Sequence, residues 1–141
     1  MLLQWTTALA VGDALIDAQH QELFRRVGRL LDAMARNDRS EAGRLLDYLL
    51  DYVEEHFSAE ERLMAETGFP DATRHVQEHR AFREAVHALD ADFLAEGTTG
   101  RLVVRLEELC VGWLKEHVYF TDVSLGRWLA THRPATIANH A

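Results

Sequence analysis

Apolar residues recur at intervals of three and four in four separate stretches of the chain, the spacing that lines one face of an α-helix. The first stripe runs through Leu23, Val27, Leu30 and Met34, widened by Phe24 and Leu31. The second has Leu46, Leu49 and Val53, the third Phe82, Val86, Leu89 and Phe93, and the fourth Val103, Leu106, Cys110 and Trp113. Helix breakers separate them at Asn37-Asp38-Arg39-Ser40, Gly68-Phe69-Pro70-Asp71 and Gly97-Thr98-Thr99-Gly100. No Val/Ile/Thr-rich run alternates with period two, so no sheet is expected. Connections this short turn consecutive helices antiparallel. The pattern therefore predicts an all-α fold, an antiparallel up-down-up-down four-helix bundle behind an N-terminal arm of about fifteen residues. The bundle domain is expected over residues 1–131, with Arg133-Pro134 ending the last helix and a C-terminal tail over 132–141.

Each stripe, continued at its own spacing, runs into polar residues. Backwards from Leu23 the first reaches His20, and forwards from Val53 the second reaches His56 and then Glu60. Backwards from Phe82 the third reaches His79 and His75, and forwards from Trp113 the fourth reaches His117. In an antiparallel bundle these positions all fall toward the same end, so four helices project ligand-type side chains into one interior layer. One histidine on a helix seam is ordinarily a satisfied core or boundary residue. Five of them with a buried glutamate would cost several kcal/mol of unmet hydrogen bonding and desolvation, at about 1–3 kcal/mol for each orphaned group. A metal removes that cost by using the lone pairs and the charge directly.

So many donors exceed a tetrahedral zinc site, and a single cysteine, Cys110, rules out a thiolate cluster. Two ions sharing carboxylates fit better, with Glu60 as one bridge and Asp122 the candidate for a second. His117 and Asp122 are five residues apart, which on a regular α-helix separates their directions by about 140°. They can share a site only if the helix widens into a π-type turn, or ends and bends back, between them.

The segments Ile16-Asp17-Ala18-Gln19-His20, His56-Phe57-Ser58-Ala59-Glu60-Glu61, His75-Val76-Gln77-Glu78-His79 and His117-Val118-Tyr119-Phe120-Thr121-Asp122 resemble the hemerythrin family, and within it the single-domain bacteriohemerythrins. The likeness runs from about residue 5 to 130 and extends to Trp5, Gly12, Phe69-Pro70 and Trp113. Val118 departs from the more familiar isoleucine. The resemblance implies a non-haem di-iron centre, with His75, His79 and His117 on one iron and His20 and His56 on the other. Glu60 and Asp122 would bridge, together with an oxo or hydroxo group. One coordination position would stay open, on the iron held by His20 and His56, for dioxygen as ligand. Leu23, Phe24, Phe57, Phe82 and Trp113, each within a turn of a ligand, are candidates for an apolar wall around it.

The function implied is reversible dioxygen binding, as a carrier or store and not as an enzyme, with an O₂-consuming enzyme or a reductase as partner. Sensing of O₂, NO or redox state through a partner, and reduction of NO or peroxide at the same irons, are the competing classes. A net charge of −8 leaves no basic stripe for nucleic acid. No segment has the apolar length of a membrane span. No signal-peptide pattern is seen at the N-terminus and one cysteine can form no intrachain disulfide, so a cytoplasmic location is expected. His87, His132 and His140 read as solvated, Glu55 and Glu61 as surface charge, and Cys110 as a small core residue.

Overall fold

In the computed structural model, residues 4–133 are described, and they form four helices with no strand among them. The arm contains one 3₁₀ turn, Thr7–Leu9. Helix α1 spans Ala14–Ala35, α2 Arg39–Thr67 and α3 Ala72–Glu96. Helix α4, residues 100–132, is a single rod of five segments: Gly100–Glu107 and Leu114–Glu116 are α-helical, Glu108–Trp113 and His117–Asp122 are π-helical, and Val123–His132 returns to α.

The ends follow local chemistry. Asp13 caps α1 by accepting from the Ile16 amide at 3.1 Å, Asp38 caps α2 through Glu41 at 3.1 Å, and Thr99 caps α4 through Leu102 at 3.2 Å. Gly68 closes α2 in the left-handed conformation at φ 68°, where a side chain would be strained. The breaker segments are shorter than expected: Arg39 and Ser40 already belong to α2, and Gly100 opens α4. The turns at 36–38 and 97–99 lie side by side, joined by the Thr98 hydroxyl donating to Asn37 Oδ1. Neighbouring helices pack in chain order and α1 also meets α4, which closes the antiparallel bundle.

Helix α4 departs from the expected stripe. Val103 and Trp113 are only half-buried, and Leu102 and Leu114 take their places in the core. Up to Asp122 the buried residues of α4 are Leu102, Leu106, Cys110, Leu114, Val118 and Asp122, each four residues from the last, with His117 beside them; Leu125, Gly126 and Leu129 follow. On a regular α-helix, steps of four drift by about 40° each and would carry the stripe off the core within a few turns. Two stretches of wider π-helical winding absorb that drift. The distortion at 117–122 is the one the His117–Asp122 spacing demands, whereas that at 108–113 was not expected.

Two apolar clusters fill the bundle. The larger includes Leu23, Val27, Leu30, Leu46, Leu49, Val53, Phe82, Val86, Leu89 and Leu106. The smaller consists of Val11, Ile16, Leu63, Met64, Phe69, Leu125 and Leu129. The arm seals the smaller one by crossing α4 at Gly126, where an added Cβ would stand 2.9 Å from Val11 C and collide with its carbonyl oxygen. Arg133, the residue after α4, is bonded to the Asp13 carboxylate at 2.7 Å. The tail from 134 onwards, with His140, lies outside the described residues.

Candidate metal centre

On every helix the residues that separate the two clusters are polar. His20 follows Ile16 by one turn on α1, His56 and Glu60 precede Leu63 on α2, His75 and His79 open α3, and His117 and Asp122 bound the second π segment of α4. All seven side chains are between 0% and 3% exposed. The layer is thus interior to the bundle, with apolar packing above and below.

The five imidazoles aim Nε2 at the two carboxylates. Glu60 Oε1 is 3.2 Å from His75 and 3.0 Å from His79, while its Oε2 is 3.1 Å from His56 and 3.6 Å from His20. Asp122 divides in the same way. Its Oδ1 is 3.0 Å from His75 and 3.1 Å from His117, and its Oδ2 is 2.9 Å from His20. Each carboxylate therefore gives one oxygen to a group of three imidazoles and the other to a group of two. Two overlapping donor sets result, each compact enough to surround an ion: Glu60, His75, His79, His117 and Asp122 in one, His20, His56, Glu60 and Asp122 in the other.

The donor atoms do not satisfy one another. Nε2 of His20, His79 and His117, Oε2 of Glu60 and both oxygens of Asp122 are buried without a hydrogen bond of acceptable geometry among the described residues. Such orphaned lone pairs cost about 1–3 kcal/mol each and are rare in native interiors. Nitrogen and oxygen donors in this number and division fit a pair of divalent or trivalent ions better than a protein-only network. Cys110, buried in the larger cluster and belonging to neither donor set, has its thiol pushed up to about 12 by burial.

Electrostatics points the same way. Burial by itself would lower the pKa values of His20, His75 and His117, but the close approach and charge of the Asp122 and Glu60 carboxylates outweigh it. They raise His75 to about 10 and His20 to about 9. His117 reaches about 9 against the same burial, through Asp122, Glu78 and Glu60. Burial would raise the two carboxyls, and Asp122 is raised further by the charge of Glu60. The surrounding imidazoles overcome both effects and hold them well below the usual carboxylate range. Without metal, the raised imidazoles of His20, His75 and His117 favour holding a proton where a metal would take the lone pair.

Aromatic rings wall one side of the layer. Phe57 stacks on His79 with centroids 3.8 Å apart, Trp113 stacks on His117 at 4.6 Å, and Phe82 meets Phe57 edge-on at 5.7 Å. Of the five expected wall residues, Phe57 and Trp113 thus lie against the three-imidazole group, and Phe82 packs against those two rings. Leu23 and Phe24, buried on α1 three and four residues after His20, belong to the side of the two-imidazole group. A cleft of about 240 Å³ lined by Phe69, Arg74, His75, Glu78, Phe120 and Thr121 indents the surface over α3 and α4.

Behind the donors stands a set of residues that the stripe pattern does not reveal. Gln19 Oε1 accepts from His56 Nδ1 at 2.8 Å, Glu61 from His79 Nδ1 at 2.8 Å, and Glu78 from His117 Nδ1 at 3.0 Å. Glu61 corrects the expectation of plain surface charge: it is half-buried and held by Arg83 at 3.1 Å. The available signal is adjacency, since each of the three precedes or follows a donor by one residue. Glu55 and His87 are exposed as expected. His132 is exposed too, stacked on Trp128 at 3.4 Å.

Residues 11–129 match the family described as Hemerythrin HHE cation binding domain. The bacteriohemerythrin of Methylococcus capsulatus (strain Bath) is 40% identical over 132 residues, covering 92% of this chain and 98% of that protein. That of Aquifex aeolicus (strain VF5) is 33% identical over 129 residues, with the same coverage of 92% and 98%. A wild-type hemerythrin crystal structure superposes with a TM-score of 0.84 at 31% identity, covering 93% of this chain and all of the other. Sequence, bundle and buried cluster agree, and the chain belongs to the hemerythrin family of non-haem iron-binding domains.

Proposed function

We propose that this protein binds dioxygen reversibly at a di-iron centre, as a carrier or store and not as an enzyme. The observation that carries the reading is the division of each buried carboxylate between two groups of imidazoles. In this reading His75, His79 and His117 hold one iron, His20 and His56 hold the other, and Glu60 and Asp122 bridge them. When bound, such an iron pair supplies the electrons for reversible dioxygen binding.

The chain's own residues set the conditions. The group with His20 and His56 offers one donor fewer, so it is the side that can admit an outside ligand. Leu23 and Phe24 exclude water from that side, and Phe57 and Trp113 hold His79 and His117 in place by stacking, with Phe82 packed against the Phe57 and Trp113 rings. The layer holds no titratable side chain beyond the seven donors among the described residues, so no separate group is at hand to deliver protons to a bound ligand. That favours binding over turnover. No described helix is long and apolar enough to cross a membrane. A cytoplasmic setting, with an O₂-consuming enzyme or a reductase as partner, belongs to the same proposal.

The test is optical. Iron-loaded protein, reduced anaerobically, is exposed to air and then purged while the visible charge-transfer absorption is followed. The band should appear with air and vanish on purging through repeated cycles. A band that never forms, or rapid consumption of NO or peroxide with an electron donor, would overturn the carrier reading.

A further inference from the structure

The five imidazoles are alike in aiming Nε2 inward, but what stands behind them differs between the two groups. In the three-imidazole group, His79 donates Nδ1–H to Glu61 at 2.8 Å and His117 donates to Glu78 at 3.0 Å. Both acceptors are pinned at a second point. Arg83 holds Glu61 at 3.1 Å and Glu54 at 2.8 Å while its guanidinium lies 5.3 Å from the Phe57 ring centre. The Thr121 hydroxyl, from within the second π segment, donates to Glu78 at 2.8 Å. In the two-imidazole group, His56 is backed by the neutral amide of Gln19 at 2.8 Å. His20 Nδ1 is buried with no partner among the described residues, as is His75 Nδ1 in the three-imidazole group, so the two groups differ in their charged acceptors, two against none.

A carboxylate accepting the outer N–H of a metal-bound imidazole fixes the tautomer and makes the inner nitrogen a stronger donor, an effect worth about 10–100-fold in metal affinity. A neutral amide fixes the ring without adding charge. We propose that Glu61 and Glu78 are positioning residues that make the centre unequal. The half built on His75, His79 and His117 takes up its metal first, and the half built on His20 and His56 fills second and empties first. This rests on the dinuclear reading above and adds an order of assembly to it. It also places the more weakly held ion on the side that has a coordination position to spare.

Cobalt(II) is a suitable probe, titrated into the metal-free full-length protein and followed by its visible absorption and by equilibrium dialysis. Wild type should bind two ions per chain in two resolved steps. Glu61→Gln and Glu78→Gln keep a hydrogen-bond acceptor and remove its charge. Each should weaken the first step by about tenfold or more and leave the second within about threefold. Gln19→Glu should narrow the same gap from the other side, by tightening the second step. A purely structural role for these residues would not produce that reciprocal change. Should Glu78→Gln fail to fold, Thr121→Val releases only the second hold on the Glu78 carboxylate and should shift the first step in the same direction. Two ions bound with the gap unchanged in all these variants, or with both steps weakened equally, would overturn the inference alone. Fewer than two ions in wild type would overturn the dinuclear reading and the inference with it.

Discussion

The polar layer and the larger apolar cluster beside it are equally buried and held together by opposite means. Leu30, Leu46 and Leu106 are fully shielded and lose nothing by it, since burying such a side chain is worth about 1.5–3 kcal/mol. His20, Glu60 and Asp122 are shielded to the same degree and leave donor atoms without partners. The contrast teaches where each property resides. Folding rests on the clusters, which are complete as they stand, whereas the layer is a preorganised set of ligand-type side chains that the clusters hold in place at a cost.

The sharpest way to break the comparison is at Glu60, which with Asp122 is shared by both donor sets. Glu60→Ala should cut the iron content of reconstituted protein from two per chain to one or none, by metal analysis. The circular dichroism of the helices should be retained, because both apolar clusters are untouched.

Acidity separates the two regions next. In metal-free protein the raised imidazoles of His20, His75 and His117 contribute stability that is complete below about pH 6.5 and lost as the pH rises through 9 to 10. The depressed carboxyls of Glu60 and Asp122 contribute stability present above about pH 4.5 and lost as the pH falls further. The metal-free Tm should therefore be highest between about pH 4.5 and 6.5 and decline into the alkaline range. Iron-loaded protein should gain stability from pH 6 to 8 instead, since metal competes with those same protons. Parallel pH–Tm curves for the two forms would contradict the assignment.

Leu46→Ala probes the other side of the contrast. It should cost about 2–5 kcal/mol in urea unfolding and leave the iron content per folded chain unchanged. The smallest effect concerns the lid on the second cluster. Gly126→Ala forces Val11 off α4 and should cost about 1–3 kcal/mol, with faster hydrogen exchange at the Val11 amide, which is bonded to Asp17 at 2.8 Å. Metal binding in this variant should persist, because Leu125 and Leu129 still cover the layer.

The four helices and the meeting of six of the seven candidate ligands in one layer were legible in the sequence, because helical periodicity maps spacing onto direction. His117 is reached through Trp113 across the π segment at 108–113, while His20, His56, Glu60, His75 and His79 sit on stripes that period 3.6 continues without correction. Asp122 does not, and only family resemblance together with the demand for a π turn brought it in. The turn is present at His117–Asp122. The four-residue spacing of buried positions along α4 was visible too, but apolar neighbours such as Val103 and Trp113 masked it.

By itself, then, the sequence determined the all-α class, the breakpoints and the convergence of histidines and a glutamate on one layer, since all of these follow from local winding. Only the tertiary structure decided which carboxylate oxygen faces which imidazole, and that a second apolar cluster and the arm close over the layer. It also decided that Gln19, Glu61 and Glu78 stand behind the donors. Those relations join residues from different helices, at separations of 18 to 39 positions for the three outer hydrogen bonds. No periodicity within one helix encodes how far it is rotated against its neighbour. Packing fixes that rotation, and the rotation settles whether a glutamate beside a ligand meets water or an imidazole.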